Sequence, residues 1–307
     1  IFSEGFMKYQ PKLLRTLLYI PGNKEDWIIK SPKYSSDALI LDLEDSVPID
    51  EKPVAREIIS RLIGELSAQG ETIFVRVNSI SSRMTELDLS KIVQEGLYAI
   101  SLPMVEGPKD IEILDKLLSI EEENKGLPVG SILIDPGLET AYALRSAYDV
   151  AKVSRRVAHM GAGGGRGGDI ARAVGYKWTP EGLETLFLRS KVLLDSKAAG
   201  ISFPVTGLWQ DIEDIDGLKR FAIQSREIGY TGMAVIHPSH VPVVNEIFSP
   251  SQDEIKECQG LIKAMDEVRK SGGAAVSYLG GMVDIAHEKT AIETLKLARE
   301  LGLVLED

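Results

Sequence analysis

One cysteine in 307 residues, Cys258, leaves no partner for an internal disulfide. That usage fits a reducing compartment, and a cytoplasmic location is expected. Histidine is scarce too: His159, His237, His240 and His287 are all there are. Their one close spacing is His237-x-x-His240, so a histidine- and thiolate-rich zinc site is not expected. No apolar run is long enough to cross a bilayer, so no membrane attachment is expected. The N-terminus shows no apolar core with a cleavage site, so no secretory signal is expected, and Met7 reads as a natural start. Basic residues are in deficit, with 35 Lys and Arg against 46 Asp and Glu and a formal net charge of −11. They form no cluster that could follow a phosphate backbone, which argues against nucleic acid as a partner. A local basic pocket for an anionic cofactor is compatible with that balance.

Glycine, by contrast, is concentrated in HMGAGGGRGGDIARAVG, residues 159–175. Gly163, Gly165 and Gly168 satisfy G-x-G-x-x-G, but a dinucleotide site also needs a second strand about 20 residues on, ending in an acid. That region reads LETLFLRSKVLLDSKAAG, one long amphipathic helix. No Gly-Lys-Ser/Thr follows, so a P-loop is excluded. Two readings stay open on these residues: a linker whose glycines permit unusual φ angles, or a loop that delivers Asp169.

Eight short apolar runs alternate with helical patterns. They are TLLYIPG (16–22), DALILDLE (37–44), TIFVRVN (72–78), YAISLPMV (98–105), SILIDPG (131–137), RVAHMGA (156–162), GISFPV (200–205) and MAVIHP (233–238). Such runs suit parallel strands buried on both faces. Eight strand–helix units predict an α/β fold, a (β/α)₈ TIM barrel over residues 8–250, with an open doubly wound sheet as the alternative. Residues 251–307 exceed what the last barrel helix needs and predict a C-terminal helical extension. Within it Ser249-Pro250-Ser251 caps a helix over 253–270, SGGAAVSYLGGMVD is a glycine-rich stretch, and HEKTAIETLKLARELG is a final helix.

Barrels of this kind carry their chemistry at the C-terminal strand ends. The polar residues there are Asp42, Glu44, Asp45, Arg76, Asn78, Glu139, Asp169 and His237. Carboxylate oxygens suit a hard cation such as Mg²⁺, which keeps waters and leaves room for substrate. Each also has a plainer reading. Asp42, Glu44 and Asp45 could be caps or loop acids, and His237 could simply end its strand. Arg76 lies in the apolar run FVRVN, so it must meet an anion: an acid such as Glu44, or a substrate oxygen.

TLLYIPGN, LDLEDSVP, FVRVNS, LETA, DIARAVG, AVIHPSHVPVVNEIFSPS and GGMVD occur in this order from Leu14 to the C-terminus. Together they resemble the citrate lyase β-subunit-like group of the HpcH/HpaI aldolase superfamily, which includes malyl-CoA and citramalyl-CoA lyases. The resemblance implies a barrel with a C-terminal extension, assembled as homotrimers or hexamers. It implies Mg²⁺ held by Glu139 and Asp169, with Glu44 and Asp45 near the metal. Arg76 would contact substrate oxygens, and Asp284 would reach a neighbouring subunit as the acid, at a raised pKa. Arg15 and the Pro21-Gly22-Asn23 turn would lie near the coenzyme A end. The implied partners are a CoA thioester and an α-keto acid: a carbon–carbon lyase cleaving a 3-hydroxyacyl-CoA. Two alternatives are a CoA-independent metal aldolase on keto acids and a citrate lyase β subunit acting on a carrier-protein-bound substrate. The chain departs from the group's usual F-G-[AG]-E-D-[LF] at its glycine loop, where Gly168 replaces the acid before Asp169. It also departs at Met104, Thr206, Met233 and Ala286, changes expected to lie around the pocket wall and cofactor contacts.

Overall fold

The computed structural model describes residues 11–304, so Met7 lies outside the described residues. Seven of the eight apolar runs form one parallel sheet. Its strands are β1 (Thr16–Pro21), β2 (Ala38–Asp42), β3 (Ile73–Arg76), β4 (Leu97–Leu102), β5 (Leu133–Pro136), β6 (Val205–Thr206) and β7 (Gly232–Val235). Their order is β5-β4-β3-β2-β1-β7-β6. Helices such as Lys52–Ala68 and Pro108–Asn124 connect successive strands. The first buries Ala55, Ile59, Leu62, Ile63 and Leu66, the spacing of a helix with one apolar face.

The sixth run, expected as a strand, is irregular. It makes a single parallel bridge to β5, Ile134 to Val157. On its other side Thr206 Oγ1 donates to the Ala162 carbonyl at 3.0 Å. Run six therefore spans the gap between β5 and β6 and completes a ring of eight segments. Its glycines explain the irregularity. A Cβ on Gly161 would lie 1.8 Å from the Val205 carbonyl oxygen, and one on Gly163 would lie 2.9 Å from Gly207 Cα. The chain closes the ring by backbone-to-backbone approach, which only glycine allows at these two points.

The register of the sheet sets out the interior in layers. Tyr19, Ile40, Phe74, Ala99 and Leu133 are partners across five adjacent strands. They belong to the barrel core with Leu17 and Ala158. Two residues further along each strand, on the same face by the period of a strand, come Pro21, Asp42, Arg76, Ser101 and Asp135. The polar groups are thus concentrated in one layer, resting on an apolar floor.

The chain divides into two compact units at Glu246/Ile247, four residues before position 250. In the second unit Ser251 supplies the expected cap, and Glu254 completes a capping box with it on the helix Gln252–Lys270. The stretch SGGAAVSYLGGMVD is an antiparallel hairpin, β8 (Ala275–Tyr278) with β9 (Gly281–Asp284). Leu279 at φ 46° and Gly280 at φ 82° make its two-residue turn. The final helix spans Ile285–Glu300, and Ile255, Leu295 and Ala298 form a small core.

Candidate active site

A cavity of about 410 Å³ opens on the polar layer, bordered by Pro21, Asp42, Asp45, Arg76, Ser101, Asp135, Glu139 and Asp169. Arg76 is its centre. Its Nε and Nη2 donate to the two oxygens of Asp42, each at 2.6 Å, and Nη1 lies 3.1 Å from Glu44. The guanidinium also lies over the Tyr19 ring, 5.0 Å from its centroid. The anticipated pairing with Glu44 occurs, but Asp42, which the sequence reading does not name as its partner, is the bidentate one. Burial alone would raise the Asp42 carboxyl; hydrogen bonds and charge from Arg76 outweigh it and hold Asp42 below the usual carboxylate range. Asp42 also accepts from the Glu44 amide at 2.9 Å and the Ser46 amide at 3.1 Å. It is a buried anchor for Arg76 and the following turn.

The acids across the cavity behave differently. Burial pushes Glu139 up to about 7; Arg76 opposes this, and Glu44, Asp169 and Asp45 add repulsion. Burial likewise raises Glu44, offset by Arg76 and reinforced by Asp45. Asp169 opens the short helix Asp169–Val174 directly after the glycine loop, and its carboxylate pairs with Arg172 on the same turn. Arg172 is 73% exposed, so this pair is weak and leaves Asp169 available. The glycine loop therefore does two things: it closes the ring and it delivers Asp169.

Among the described residues no three His, Cys, Asp or Glu side chains converge into a closed metal cage. Two carboxylates, Glu139 and Asp169, on a cavity with room for water and ligand are the donor set a hard cation such as Mg²⁺ takes instead. The crowding around Glu139 fits a cation there, because positive charge would relieve both its burial and its repulsion.

Several expected residues lie elsewhere. Arg15 precedes β1 at its N-terminal end and grips Asp37, with Nε and Nη2 at 2.8 and 2.7 Å. The structure does not bring it to the cavity, because the strand carries it to the opposite end from Pro21. Gly22 packs its Cα against β2, where a Cβ would lie 2.5 Å from the Asp42 carbonyl oxygen. Asn23 donates to Glu51 beside it. Asp284 is exposed and caps the final helix, accepting from the Ala286 amide at 2.9 Å and from His287. The His287 hydrogen bond, with the helix amides, holds it below the usual carboxylate range, opposite to the raised value expected. His237 lies two residues beyond the end of β7 rather than in the strand, with Nδ1 2.7 Å from Ser239 Oγ. Of the sequence departures, Gly168 and Thr206 line the cavity, whereas Met104 and Met233 do not. Met233 is fully buried in β7.

Tyr19, Ser101 and Asp135 are among the cavity residues that the sequence reading does not pick out. Tyr19 is raised well above the ordinary tyrosine value by burial, against the pull of Arg76. Ser101 donates to Asp135 at 3.1 Å. Burial pushes Asp135 up to about 7, with Ser101 opposing. The signal for Asp135 was a lone acid inside the apolar run SILIDPG, the same kind of signal that marked Arg76.

The fold and the site define a parallel α/β barrel whose C-terminal strand ends surround an arginine with carboxylates. The chain belongs to the HpcH/HpaI aldolase/citrate lyase family, whose profile matches residues 15–238. It is 32% identical to the mitochondrial citramalyl-CoA lyase of Homo sapiens, covering 97% of this chain and 89% of that one. It is 27% identical to the citrate lyase subunit beta of Leuconostoc mesenteroides subsp. cremoris, over 95% of this chain and 96% of the other. Among solved structures it is similar to the protein CitE of Mycobacterium tuberculosis in complex with magnesium, acetoacetate and coenzyme A. That likeness has a TM-score of 0.72 at 22% identity, over 94% of this chain and 98% of the other. At that identity it supports the barrel fold.

Proposed function

We propose that this protein is a Mg²⁺-dependent carbon–carbon lyase that reversibly cleaves a 3-hydroxyacyl-CoA thioester to an α-keto acid and an acyl-CoA such as acetyl-CoA. The observation that carries this reading is Glu139: a buried carboxyl crowded by Asp169, Glu44 and Asp45, on a cavity that also holds Arg76. The citramalyl-CoA lyase relative and the magnesium and coenzyme A bound to CitE support the cation and the thioester. No helix among the described residues is long and apolar enough to cross a membrane. A cytoplasmic setting is supported by the lone Cys258.

Glu139 and Asp169 would hold the cation, with Glu44 and Asp45 nearby. Bound there, Mg²⁺ supplies Lewis-acid polarisation of the hydroxyl and carboxylate oxygens it binds. Arg76 contributes what its pairing leaves. Two of a guanidinium's five N–H groups go to Asp42 in hydrogen bonds. Nη1 also lies 3.1 Å from Glu44, and the N–H groups still left over would face the thioester oxygen, where negative charge develops as the carbon–carbon bond breaks. Asp42 fixes the plane of the guanidinium, and the floor of Leu17 and Ile40 keeps water from the enolate. The thioester would enter past the Pro21-Gly22-Asn23 turn.

The proton for the enolate carbon is assigned to Asp284 of a neighbouring copy in a trimer or hexamer. Leu279, Met282 and Ile285 are 73%, 78% and 61% exposed around it, an apolar surface that suits contact with another copy. Burial against that copy would have to reverse the lowering that His287 now imposes. Asp284→Asn is expected to lose turnover while Mg²⁺ and acetyl-CoA still bind by calorimetry. Equal loss of both would remove Asp284 from the chemistry.

The reaction itself is tested by mass spectrometry of condensation mixtures. Acetyl-CoA and propionyl-CoA are each offered glyoxylate, pyruvate and oxaloacetate, with Mg²⁺ or with EDTA, alongside Asp169→Asn. A new thioester that requires Mg²⁺ and is absent with the variant is the expected result. Product from a carrier-protein thioester but from no CoA ester would overturn the CoA assignment.

A further inference from the structure

The polar layer contains two pairs, and only one is closed on itself. Asp42 and Arg76 share both carboxylate oxygens. In the second pair Ser101 Oγ donates to Asp135 Oδ2 alone, at 3.1 Å. Asp135 Oδ1 accepts no hydrogen bond from any described residue, and the carboxyl borders the cavity. The carboxyl is partly withdrawn from solvent, burial raises it, and the cavity it borders is also lined by Leu17, Tyr19, Ile40 and Ala234. A polar atom in such surroundings is costly unless something pairs with it, and what reaches this point is water or substrate.

We infer that the Ser101–Asp135 pair is a specificity determinant that selects an α-keto acid bearing a hydroxyl group beyond its carbonyl. The inference rests on the proposed function, in which Glu139 and Asp169 hold the keto-acid end. Asp135 lies in β5 and Glu139 follows on the loop that leaves it, so both face one cavity. A substituent extending from the keto carbon toward the floor meets Oδ1. A methyl group there leaves the oxygen unpaired. A second carboxylate adds charge to a site that already holds Asp42, Glu44, Asp45, Glu139 and Asp169, while Arg76 is engaged by two of them. A hydroxyl fits both requirements: it is uncharged and can donate to Oδ1. With the Asp135 carboxyl pushed up to about 7, both of its forms are present near neutral pH, and each can bond a hydroxyl, as acceptor or as donor.

The test is calorimetric binding of hydroxypyruvate and pyruvate to the full chain loaded with Mg²⁺, which needs no turnover. The wild type is expected to bind hydroxypyruvate about tenfold more tightly than pyruvate, the size of one net hydrogen bond. Asp135→Leu is expected to bring that ratio to about one, with pyruvate bound at least as well as before. Asp135→Asn keeps the shape of the side chain and retains part of the preference, and it carries the test if the leucine variant does not fold. Equal binding by the wild type, or an unchanged ratio in Asp135→Leu, overturns the inference and leaves the lyase assignment standing. Binding of neither acid overturns both.

Discussion

Glu139→Gln is expected to abolish turnover and, at the same time, to make the metal-free protein more stable. Loss of one of the two carboxylates proposed to hold the cation removes transition-state stabilisation of several kcal/mol, a fall of about a thousandfold or more in kcat/KM. The gain in stability follows from the burial that prepares the site. Glu139 is raised from the ordinary 4.5 to about 7 in the folded protein. Between those values the folded chain holds a proton that the unfolded chain has released. Stability therefore falls as pH rises through this window and stays low above it, by roughly 3 kcal/mol for a shift of this size. Asp135, also raised to about 7, acts in the same direction. Glutamine has no such penalty. Urea unfolding of the metal-free proteins at pH 5 and pH 8 should show a smaller loss with pH in Glu139→Gln. Added Mg²⁺ should stabilise the wild type at pH 8 and not the variant, since only a ligand that binds the folded state shifts the balance. A variant that is less stable than wild type at pH 8 without metal would contradict the reading of Glu139 as a strained carboxyl.

Arg76→Ala is expected to fail in both folding and chemistry, and the two failures can be separated. Removing the guanidinium leaves Asp42, which is fully buried, without its bidentate partner. Breaking a buried pair from one side costs about 3–5 kcal/mol, because the remaining charge has no compensation. Replacing both partners, as in Arg76→Leu with Asp42→Leu, removes the orphaned charge and should recover much of the stability. Activity should not return, because no N–H group is left to meet developing negative charge. The single variant is expected to lose about a hundredfold or more in kcat, the usual size for one such donor. Chemical denaturation and turnover on the same three proteins decide the matter. Recovery of activity in the double variant would show that Arg76 serves only to hold Asp42.

What could be read from the chain depended on the kind of information each residue carried. Arg76 was legible because a guanidinium in FVRVN has to find an anion wherever the strand goes. Which anion was not legible, since Asp42 and Glu44 stand two apart in LDLED and strand register alone makes Asp42 the direct partner. Asp135 sits inside SILIDPG, where a lone acid in an apolar run asks the same question as a lone arginine. The family resemblance implies Arg15 near the coenzyme A end, together with the Pro21-Gly22-Asn23 turn. In a parallel barrel a residue that precedes its strand lies at the N-terminal face, so Arg15 sits at the end opposite Pro21, where Asp37 pairs with it. Run six read as a strand by composition, but its closing contacts are made by glycine backbones that offer no ladder. The hairpin at 275–284 was hidden because its two strands are short and its turn begins with Leu279 in a conformation that leucine rarely adopts.

By itself the sequence determined the barrel class, the C-terminal extension and the set of acids around one arginine. These follow from hydrophobic periodicity and from charges placed in apolar runs, which are local properties of the chain. The tertiary structure decided which carboxylates share Arg76 and which are left crowded and raised. It also decided that Ser101 and Asp135 meet across β4 and β5, and that the glycines close the ring as well as carrying Asp169. Those outcomes depend on register and burial between segments far apart in the chain. A carboxyl's proton affinity and the direction a side chain faces are set by neighbours that the linear order does not name.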